Sequence, residues 1–229
     1  MKTSKKIYLI SPRGFCAGVT RAIEIVELAI KKYGPPVYVN HEIVHNKYVI
    51  DELSDKGAVF LDNINDAPSD RPFIFSAHGV SKDVELHANK KNKIVINATC
   101  PLVTKVHVQA MKFFELGYRI ILIGHKNHPE VIGTMGQLPS GSIELVETVS
   151  DVMKLSINDN DNFAYLTQTT LSLDDTKKII EALKVRLPKI ISSPKEDICY
   201  ATSNLQKAIK EYAQMCDAFI VVGSSNSSN

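Results

Sequence analysis

The 229-residue chain lacks a dominant charge of either sign. It carries 27 Lys and Arg against 25 Asp and Glu, a formal net charge of +2. A chain this close to neutral has no overall field to hold nucleic acid or an anionic membrane. Any anion that it binds must therefore be held by a local site.

Long apolar runs are also absent. No stretch approaches the ~18 residues that a membrane helix needs. The basic start is followed by only four apolar residues, Ile7–Ile10, too few for the ~7–15-residue core of a secretion signal. With 44% hydrophobic and 23% charged residues, the composition is that of a globular chain. We expect a cytoplasmic protein with neither a membrane nor a nucleic-acid partner.

Cysteine is scarce, with four residues in the whole chain, so a disulfide framework is not expected. Cys16, Cys100 and Cys199 share one context, because each follows an apolar segment and a turn and precedes a predicted helix. A helix N-terminus favours the thiolate, which is the metal-binding form. Cys216 instead ends a predicted helix and is expected to be a packed thiol. The alternative is that all four are thiols packed as small hydrophobes.

Predicted strands and helices alternate along the chain, which indicates parallel α/β layers. The three similarly placed cysteines are 84 and 99 residues apart, so each could belong to one unit of a three-fold arrangement. The predicted strands include Lys6–Ile10, Lys93–Ile96 and Ala218–Gly223.

Three thiolates from distant segments fit two kinds of metal centre. Zinc could take three sulfurs and a water. An iron–sulfur cluster normally takes four thiolates, and with three it would keep one iron open to substrate. None of the cysteines falls in a Cys-x-x-Cys pair, so their spacing does not decide between the two.

His41-Glu42-Ile43-Val44-His45 matches the zinc-protease signature H-E-x-x-H. That mechanism needs both histidines on one helix, one turn apart. Here the motif directly follows a predicted strand, so the helix should begin near His45 or later and leave His41 in a loop. The pattern therefore disfavours a protease.

Three loops place a histidine at the exit of an apolar strand. His78 lies in the first of these loops and His128 in another, where Glu130 is a candidate proton donor. Hydroxyl and amide groups follow other strands at 167–170 and 227–229, where they could bind phosphate oxygens or only cap turns. Loops at one edge of an α/β sheet commonly carry function, so we expect these groups to meet.

Seven ordered motifs together resemble the LytB/IspH family of 4-hydroxy-3-methylbut-2-enyl diphosphate reductases, which act last in the non-mevalonate isoprenoid pathway. The motifs are Pro12–Val19, Ser76–Ser81, Ala98–Val103, Gly124–Glu130, Gly133–Gln137, Thr167–Thr170 and Asp197–Thr202.

The resemblance implies three α/β lobes around a central 4Fe-4S cluster, with one iron not ligated by protein. The lobes would span 17–100, 101–195 and, in part, 196–229 together with 1–16. The implied cluster ligands are Cys16, Cys100 and Cys199. The implied diphosphate-binding residues are His45, His78, His128, Thr170, Ser227, Ser228 and Asn229.

The implied reaction removes the allylic hydroxyl of (E)-4-hydroxy-3-methylbut-2-enyl diphosphate and yields isopentenyl and dimethylallyl diphosphates. Glu130 would relay the proton, Thr169 would lie near the hydroxyl, and ferredoxin or flavodoxin would supply electrons to a monomer or weak homodimer. Family members continue beyond the Ser-Ser-Asn motif, so we expect an incomplete third lobe, exposed apolar faces and little activity. The rival hypotheses are a zinc-dependent hydrolase and a non-enzymatic iron–sulfur sensor.

Overall fold

The computed structural model describes residues 6–92, 94–158 and 161–228. The helices are α1 (Ala17–Tyr33), α2 (Lys47–Asp55), α3 (Lys82–Lys91), α4 (Pro101–Glu115), α5 (Pro129–Met135), α6 (Val149–Lys154), α7 (Leu173–Arg186) and α8 (Tyr200–Ala213), with a 3₁₀ turn at Ile64–Asp66. The strands are β1 (Val37–Asn40), β2 (Ala58–Leu61), β3 (Phe73–Phe75), β4 (Val95–Asn97), β5 (Arg119–Ile123), β6 (Ile143–Val146), β7 (Phe163–Thr167) and β8 (Ile191–Ser192).

The strands form two four-stranded sheets of the same topology. The first has the order β2-β1-β3-β4 and the second the order β6-β5-β7-β8. Every strand pair is parallel. The predicted parallel α/β class is confirmed, and the second sheet repeats the strand order of the first.

Each sheet is covered on both faces. In β5, Ile121 and Ile123 pack into one core cluster, while Ile120 and Leu122 pack into another on the opposite face. All four side chains are 1% exposed. Because successive strand residues point to opposite faces, a strand buried on both sides reads as a continuous apolar run.

The strands of the first sheet lie within 17–100 and those of the second within 101–195. The boundaries of the three lobes themselves stay a prediction. Beyond β8, α8 is the one helix or strand in the part of the chain that the structure describes.

Two predicted strands are wrong. Residues 6–10 and 218–223 form no strand, and most of their apolar side chains are exposed, with Ile7 at 87% and Val222 at 94%. A strand needs a neighbouring backbone to satisfy its N–H and C=O groups, and neither segment has one among the described residues. The exposure of 218–223 agrees with the expectation of uncovered apolar faces. The strand predicted at Lys93–Ile96 lies at Val95–Asn97, and Lys93 itself lies outside the described residues.

No helix in the described ranges is long and apolar enough to cross a membrane.

Candidate active site at the carboxyl edges of the two sheets

The candidate residues follow the central strands of each sheet. In the first sheet the strand order reverses between β1 and β3, whose loops carry His45 and His78. In the second it reverses between β5 and β7; Glu130 lies in the first turn of α5, just after the loop that follows β5, and Thr169 lies in the loop after β7. Open α/β sheets bind ligands where the order reverses, so both sheets offer a site at this position.

Three of the predicted histidines meet, although they come from both sheets. The rings of His45 and His78 stack with centroids 4.1 Å apart. The ring of His128 stands edge-on to both, at 5.3 Å from His45 and 5.7 Å from His78. These three rings are called the histidine cluster below. His125, in the same loop as His128, is exposed.

Two rings of the histidine cluster are uncharged at neutral pH. Burial lowers the pKa of His78 to about 3, and its neighbours His45, His128 and His41 lower it further. Burial, with His45 and His125, lowers the pKa of His128 to about 4. The backbone N–H of Glu130 donates to Nδ1 of His128 at 3.1 Å, so the ring proton of neutral His128 sits on Nε2. His128 can therefore donate a hydrogen bond from Nε2 to an anion.

Glu130 is the buried acid of the site, at 3% exposure. Its Oε1 accepts from the backbone N–H of Thr169 at 2.6 Å, and its Oε2 lies 3.0 Å from the Thr169 hydroxyl. Burial raises the pKa of Glu130 to about 7; the two Thr169 contacts lower it and the charge of Asp197 raises it. A carboxyl group poised near neutral pH is suited to proton transfer.

Gln168 joins the hydroxyl groups of the site. Its amide nitrogen donates to Thr170 Oγ1 at 3.1 Å and to Ser228 Oγ at 2.9 Å, and those two hydroxyl oxygens lie 3.2 Å apart. The Gln168 side-chain oxygen accepts from the backbone N–H of His125 at 3.0 Å. The structure thus places Thr170 and Ser228 together. Ser227 is adjacent to Ser228 in the chain, and Asn229 lies outside the described residues.

Each of the three similarly placed cysteines is the N-cap residue of a helix, Cys16 for α1, Cys100 for α4 and Cys199 for α8. The thiols of Cys16 and Cys100 approach one another near Gly18. A Cβ at Gly18 would lie 2.9 Å from the Cys100 sulfur and 3.7 Å from the Cys16 sulfur. Glycine therefore leaves room where the sulfurs approach.

The Cys100 thiol resists ionisation more than its position at a helix N-terminus alone predicts. Burial raises the pKa of Cys100; hydrogen bonds from the backbone N–H groups of Leu102 and Val103 lower it, and the nearby thiols of Cys16 and Cys199 raise it. Grouped thiolates repel one another unless a cation shares their charge. This donor set fits a cationic metal group.

The described residues, including the H-E-x-x-H motif, do not form a site for a single metal ion. In residues 6–92, 94–158 and 161–228, no group of three His, Cys, Asp or Glu side chains is arranged to hold one metal ion. In the H-E-x-x-H motif, α2 begins only at Lys47, and His41 lies in the preceding loop with φ 54°. Nδ1 of His41 contacts the exposed Asp62 at 2.9 Å. The two histidines of the motif do not share a helix, as expected.

Two backbone hydrogen bonds join the cysteines to the other site residues. The N–H of Cys100 donates to the carbonyl of Ala77, next to His78, at 2.9 Å. The N–H of Cys199 donates to the carbonyl of Thr169 at 2.8 Å. The backbone of Cys100 therefore adjoins the residue before His78, and that of Cys199 adjoins the Glu130–Thr169 pair.

Sequence reasoning included Gln168 only among the polar groups at 167–170 and assigned no role to Asp197. Asp197 is 7% exposed, accepts from the backbone N–H of Thr167 at 3.2 Å, and pairs with Lys105 at 3.1 Å. Gln168 stands between threonines, and Asp197 stands two residues before a helix-capping cysteine. Their position beside candidate site residues was the only indication in the sequence. Most of the residues that Gln168 and Asp197 contact are distant in the chain, so these contacts themselves could not be predicted.

The family model described as "LytB protein" matches residues 7–229. The chain belongs to the LytB family. A LytB relative from Ruegeria sp. (strain TM1040), named 4-hydroxy-3-methylbut-2-enyl diphosphate reductase, is 58% identical over 223 residues, which are 97% of this chain and 71% of the relative. A relative of the same name from Phenylobacterium zucineum is 56% identical over 223 residues, again 97% of this chain and 71% of the relative.

Solved structures show the LytB fold directly. The E-1-hydroxy-2-methyl-but-2-enyl-4-diphosphate reductase of Plasmodium falciparum is 50% identical with a TM-score of 0.94, over 97% of this chain and 70% of that one. A second structure, titled (E)-4-hydroxy-3-methyl-but-2-enyl diphosphate reductase, the terminal enzyme of the non-mevalonate pathway, is 31% identical with a TM-score of 0.77. The match covers 96% of this chain and 78% of that structure's chain.

Proposed function

We propose that the chain is a 4-hydroxy-3-methylbut-2-enyl diphosphate reductase, an oxidoreductase that converts the (E)-4-hydroxy allylic diphosphate to isopentenyl and dimethylallyl diphosphates. Family membership and the names of the relatives supply the reaction class. One observation carries the assignment to these residues: the buried Glu130–Thr169 pair joins Cys199 on one side and the histidine cluster on the other. An acid, an anion site and a metal-binding group are the three parts that this reaction needs.

Cys16, Cys100 and Cys199 would hold a 4Fe-4S cluster with one iron not ligated by protein. Their shared place at helix N-termini, the influence of Cys16 and Cys199 on Cys100, and the space at Gly18 support a metal-binding group at this position. When bound, such a cluster supplies electrons one at a time and an iron with a free coordination position. Family membership, rather than this geometry, disfavours the zinc hydrolase.

The diphosphate would bind at the edge formed by the histidine cluster, Thr170 and the Ser227–Asn229 segment. Neutral His128 presents an Nε2–H donor, and the Thr170 and Ser228 hydroxyls already face one another. Neutral donors in a buried site can hold phosphate oxygens without a lysine. We assign Ser227 and Asn229 to the same group because they flank Ser228.

Glu130 would supply the proton that turns the leaving hydroxyl into water. Its pKa of about 7 leaves the carboxyl group partly protonated at neutral pH. The Thr169 hydroxyl, 3.0 Å from Oε2, can relay that proton to the substrate oxygen. In total the C–O bond breaks, two electrons enter, one proton leaves with the hydroxyl as water, and a second proton goes to an allylic carbon.

The electrons would come from a ferredoxin or flavodoxin in the cytoplasm, delivered to a monomer or weak homodimer. The cysteines of the chain are free thiols rather than disulfides, which suits a reducing compartment.

The test is turnover of the allylic diphosphate under anaerobic conditions. The chain is reconstituted with iron and sulfide, mixed with a reduced one-electron donor, and the products are separated by chromatography. We expect isopentenyl and dimethylallyl diphosphates from the wild type and at least ~100-fold slower formation from Glu130→Gln, the scale of a lost general acid. Equal rates would remove Glu130 from the mechanism.

A further inference from the structure

The carboxylate of Glu42 borders the histidine cluster from outside. Its Oε2 lies 3.1 Å from Nδ1 of His45 and 2.9 Å from the side-chain nitrogen of Asn226. Asn226 immediately precedes Ser227 and Ser228. One carboxylate oxygen therefore joins a histidine of the first sheet to the segment with the phosphate-binding hydroxyls, 184 residues away.

Two competing contacts at Nδ1 bear on where the proton of His45 resides. An ionised carboxylate only accepts hydrogen bonds, and the Asn226 amide nitrogen only donates them. If Nδ1 of His45 carried a lone pair, that lone pair would face the Glu42 oxygen and be repelled. Asn226, 3.1 Å from Nδ1, could donate to such a lone pair, but the bond from Nδ1–H to the Glu42 carboxylate is charge-assisted and therefore the stronger of the two. We therefore place the proton on Nδ1, donated to Glu42.

The opposite nitrogen of His45 is left for a ligand. Its Nε2 is buried and makes no hydrogen bond with the described residues. The ring stacks on His78 and meets His128 edge-on, so the groups facing it are two imidazoles, the Glu42 carboxylate and the Asn226 amide. A buried polar atom without a partner is costly unless a ligand satisfies it.

We propose that Glu42 is a positioning residue that holds the proton of His45 on Nδ1 and so directs Nε2 of His45 toward the substrate diphosphate. The proposal rests on the proposed function only in taking a diphosphate as the anion. No zinc-protease role remains for the glutamate of the H-E-x-x-H motif.

Glu42 also determines the charge of the bound state. Phosphate oxygens accept, so Nε2 needs a proton of its own, which arrives with the diphosphate or from solvent. The resulting imidazolium donates to Glu42 from Nδ1 and to the diphosphate from Nε2, two charge-assisted hydrogen bonds. His128 works differently, because the Glu130 backbone N–H already places its proton on Nε2.

A simpler view makes the opposite prediction. If Glu42 were only a negative charge beside an anion site, it would repel the diphosphate, and Glu42→Gln would bind more tightly. If Glu42 orients and charges His45, Glu42→Gln binds more weakly, by about 10-fold or more, because a hydrogen bond to a charged group is lost.

The experiment measures inorganic pyrophosphate binding by calorimetry in the wild type, Glu42→Gln and Asp62→Asn. Asp62 is the matched control, because it contacts His41 at 2.9 Å in the same way, but His41 is not one of the three cluster rings and the Asp62 side chain is 95% exposed. We expect weaker binding in Glu42→Gln and unchanged binding in Asp62→Asn. Equal or tighter binding in Glu42→Gln would overturn the proposal and leave the proposed function intact.

Nitrogen NMR of ¹⁵N-histidine-labelled protein reads the tautomer without any ligand. We expect His45, assigned with a His45→Gln variant, to carry its proton on Nδ1 in the wild type and to gain the Nε2–H form in Glu42→Gln. A wild-type His45 protonated on Nε2 would overturn the proposal. Failure of the wild type to bind pyrophosphate would instead contradict the proposed function, and the NMR result would still decide the role of Glu42.

Discussion

Replacing Glu130 by Gln is expected to change how the stability of the protein depends on pH. Burial raises the pKa of Glu130 from 4.5 to about 7, against two opposing contacts from Thr169. Because this pKa is higher in the folded chain, the folded state holds a proton between pH 4.5 and about 7 that the unfolded state has released. Stability from this group is present at low pH and is lost as the pH rises through that window.

The size of the effect follows from the shift. Each pKa unit corresponds to about 1.4 kcal/mol. Ionisation of Glu130 should therefore lower the free energy of unfolding of the wild type by about 3 kcal/mol between pH 4.5 and 8. Gln keeps the shape of the protonated acid, can accept from the Thr169 N–H and can donate to its hydroxyl, but does not titrate. The variant should therefore escape this loss.

The assay is urea unfolding of the wild type and Glu130→Gln at pH 5 and pH 8. Both proteins contain His78 and His128. The difference between their free energies of unfolding therefore leaves out the contributions of these two histidines. Glu181→Gln, at an exposed position on α7, is the control and should follow the wild type. If Glu130→Gln loses stability in parallel with the wild type between the two pH values, the raised pKa is wrong.

Three further predictions concern the metal-binding group and the hydroxyl network. Cys16→Ser, Cys100→Ser and Cys199→Ser should each abolish the brown chromophore of anaerobically purified protein, whereas a Cys216→Ser variant that bleached would contradict the three-ligand assignment. Gly18→Ala should lower iron content, because its methyl group would lie 2.9 Å from the Cys100 sulfur, while Gly223→Ala, with no atom within 4 Å, should not; equal iron in both would refute the crowding argument. Gln168→Leu should remove the hydrogen bonds of Gln168 with Thr170, Ser228 and the His125 N–H and destabilise the chain by about 1–3 kcal/mol in urea unfolding, and an unchanged midpoint would show that water replaces the amide.

Local patterns were enough to predict the two sheets. Continuous apolar runs such as that of β5 require a strand covered on both faces, and the structure supplies helices on each side. The cysteines at helix N-termini were predictable for the same reason, since Pro101 and the preceding turns are local signals. The gathering of histidines at strand ends follows from parallel topology.

Pairing between distant segments could not be predicted. The apolar patterns at 6–10 and 218–223 are those of strands, but whether a strand forms depends on a partner that pattern cannot identify. Likewise, nothing near Glu130 in sequence indicates Thr169, 39 residues away, which fixes both of its oxygens. Glu42 and Asn226 are separated by even more of the chain, 184 residues. The position of Glu42 in an apparent zinc motif therefore gave no indication of this contact.

The central claim is that three cysteines hold an iron–sulfur cluster in a diphosphate reductase. Its most direct test is iron, sulfide and zinc analysis of the anaerobically purified chain, alongside Cys100→Ser. We expect about four iron and about four sulfide per wild-type chain, little zinc, and loss of both iron and sulfide in Cys100→Ser. Stoichiometric zinc without sulfide in the wild type would contradict the claim.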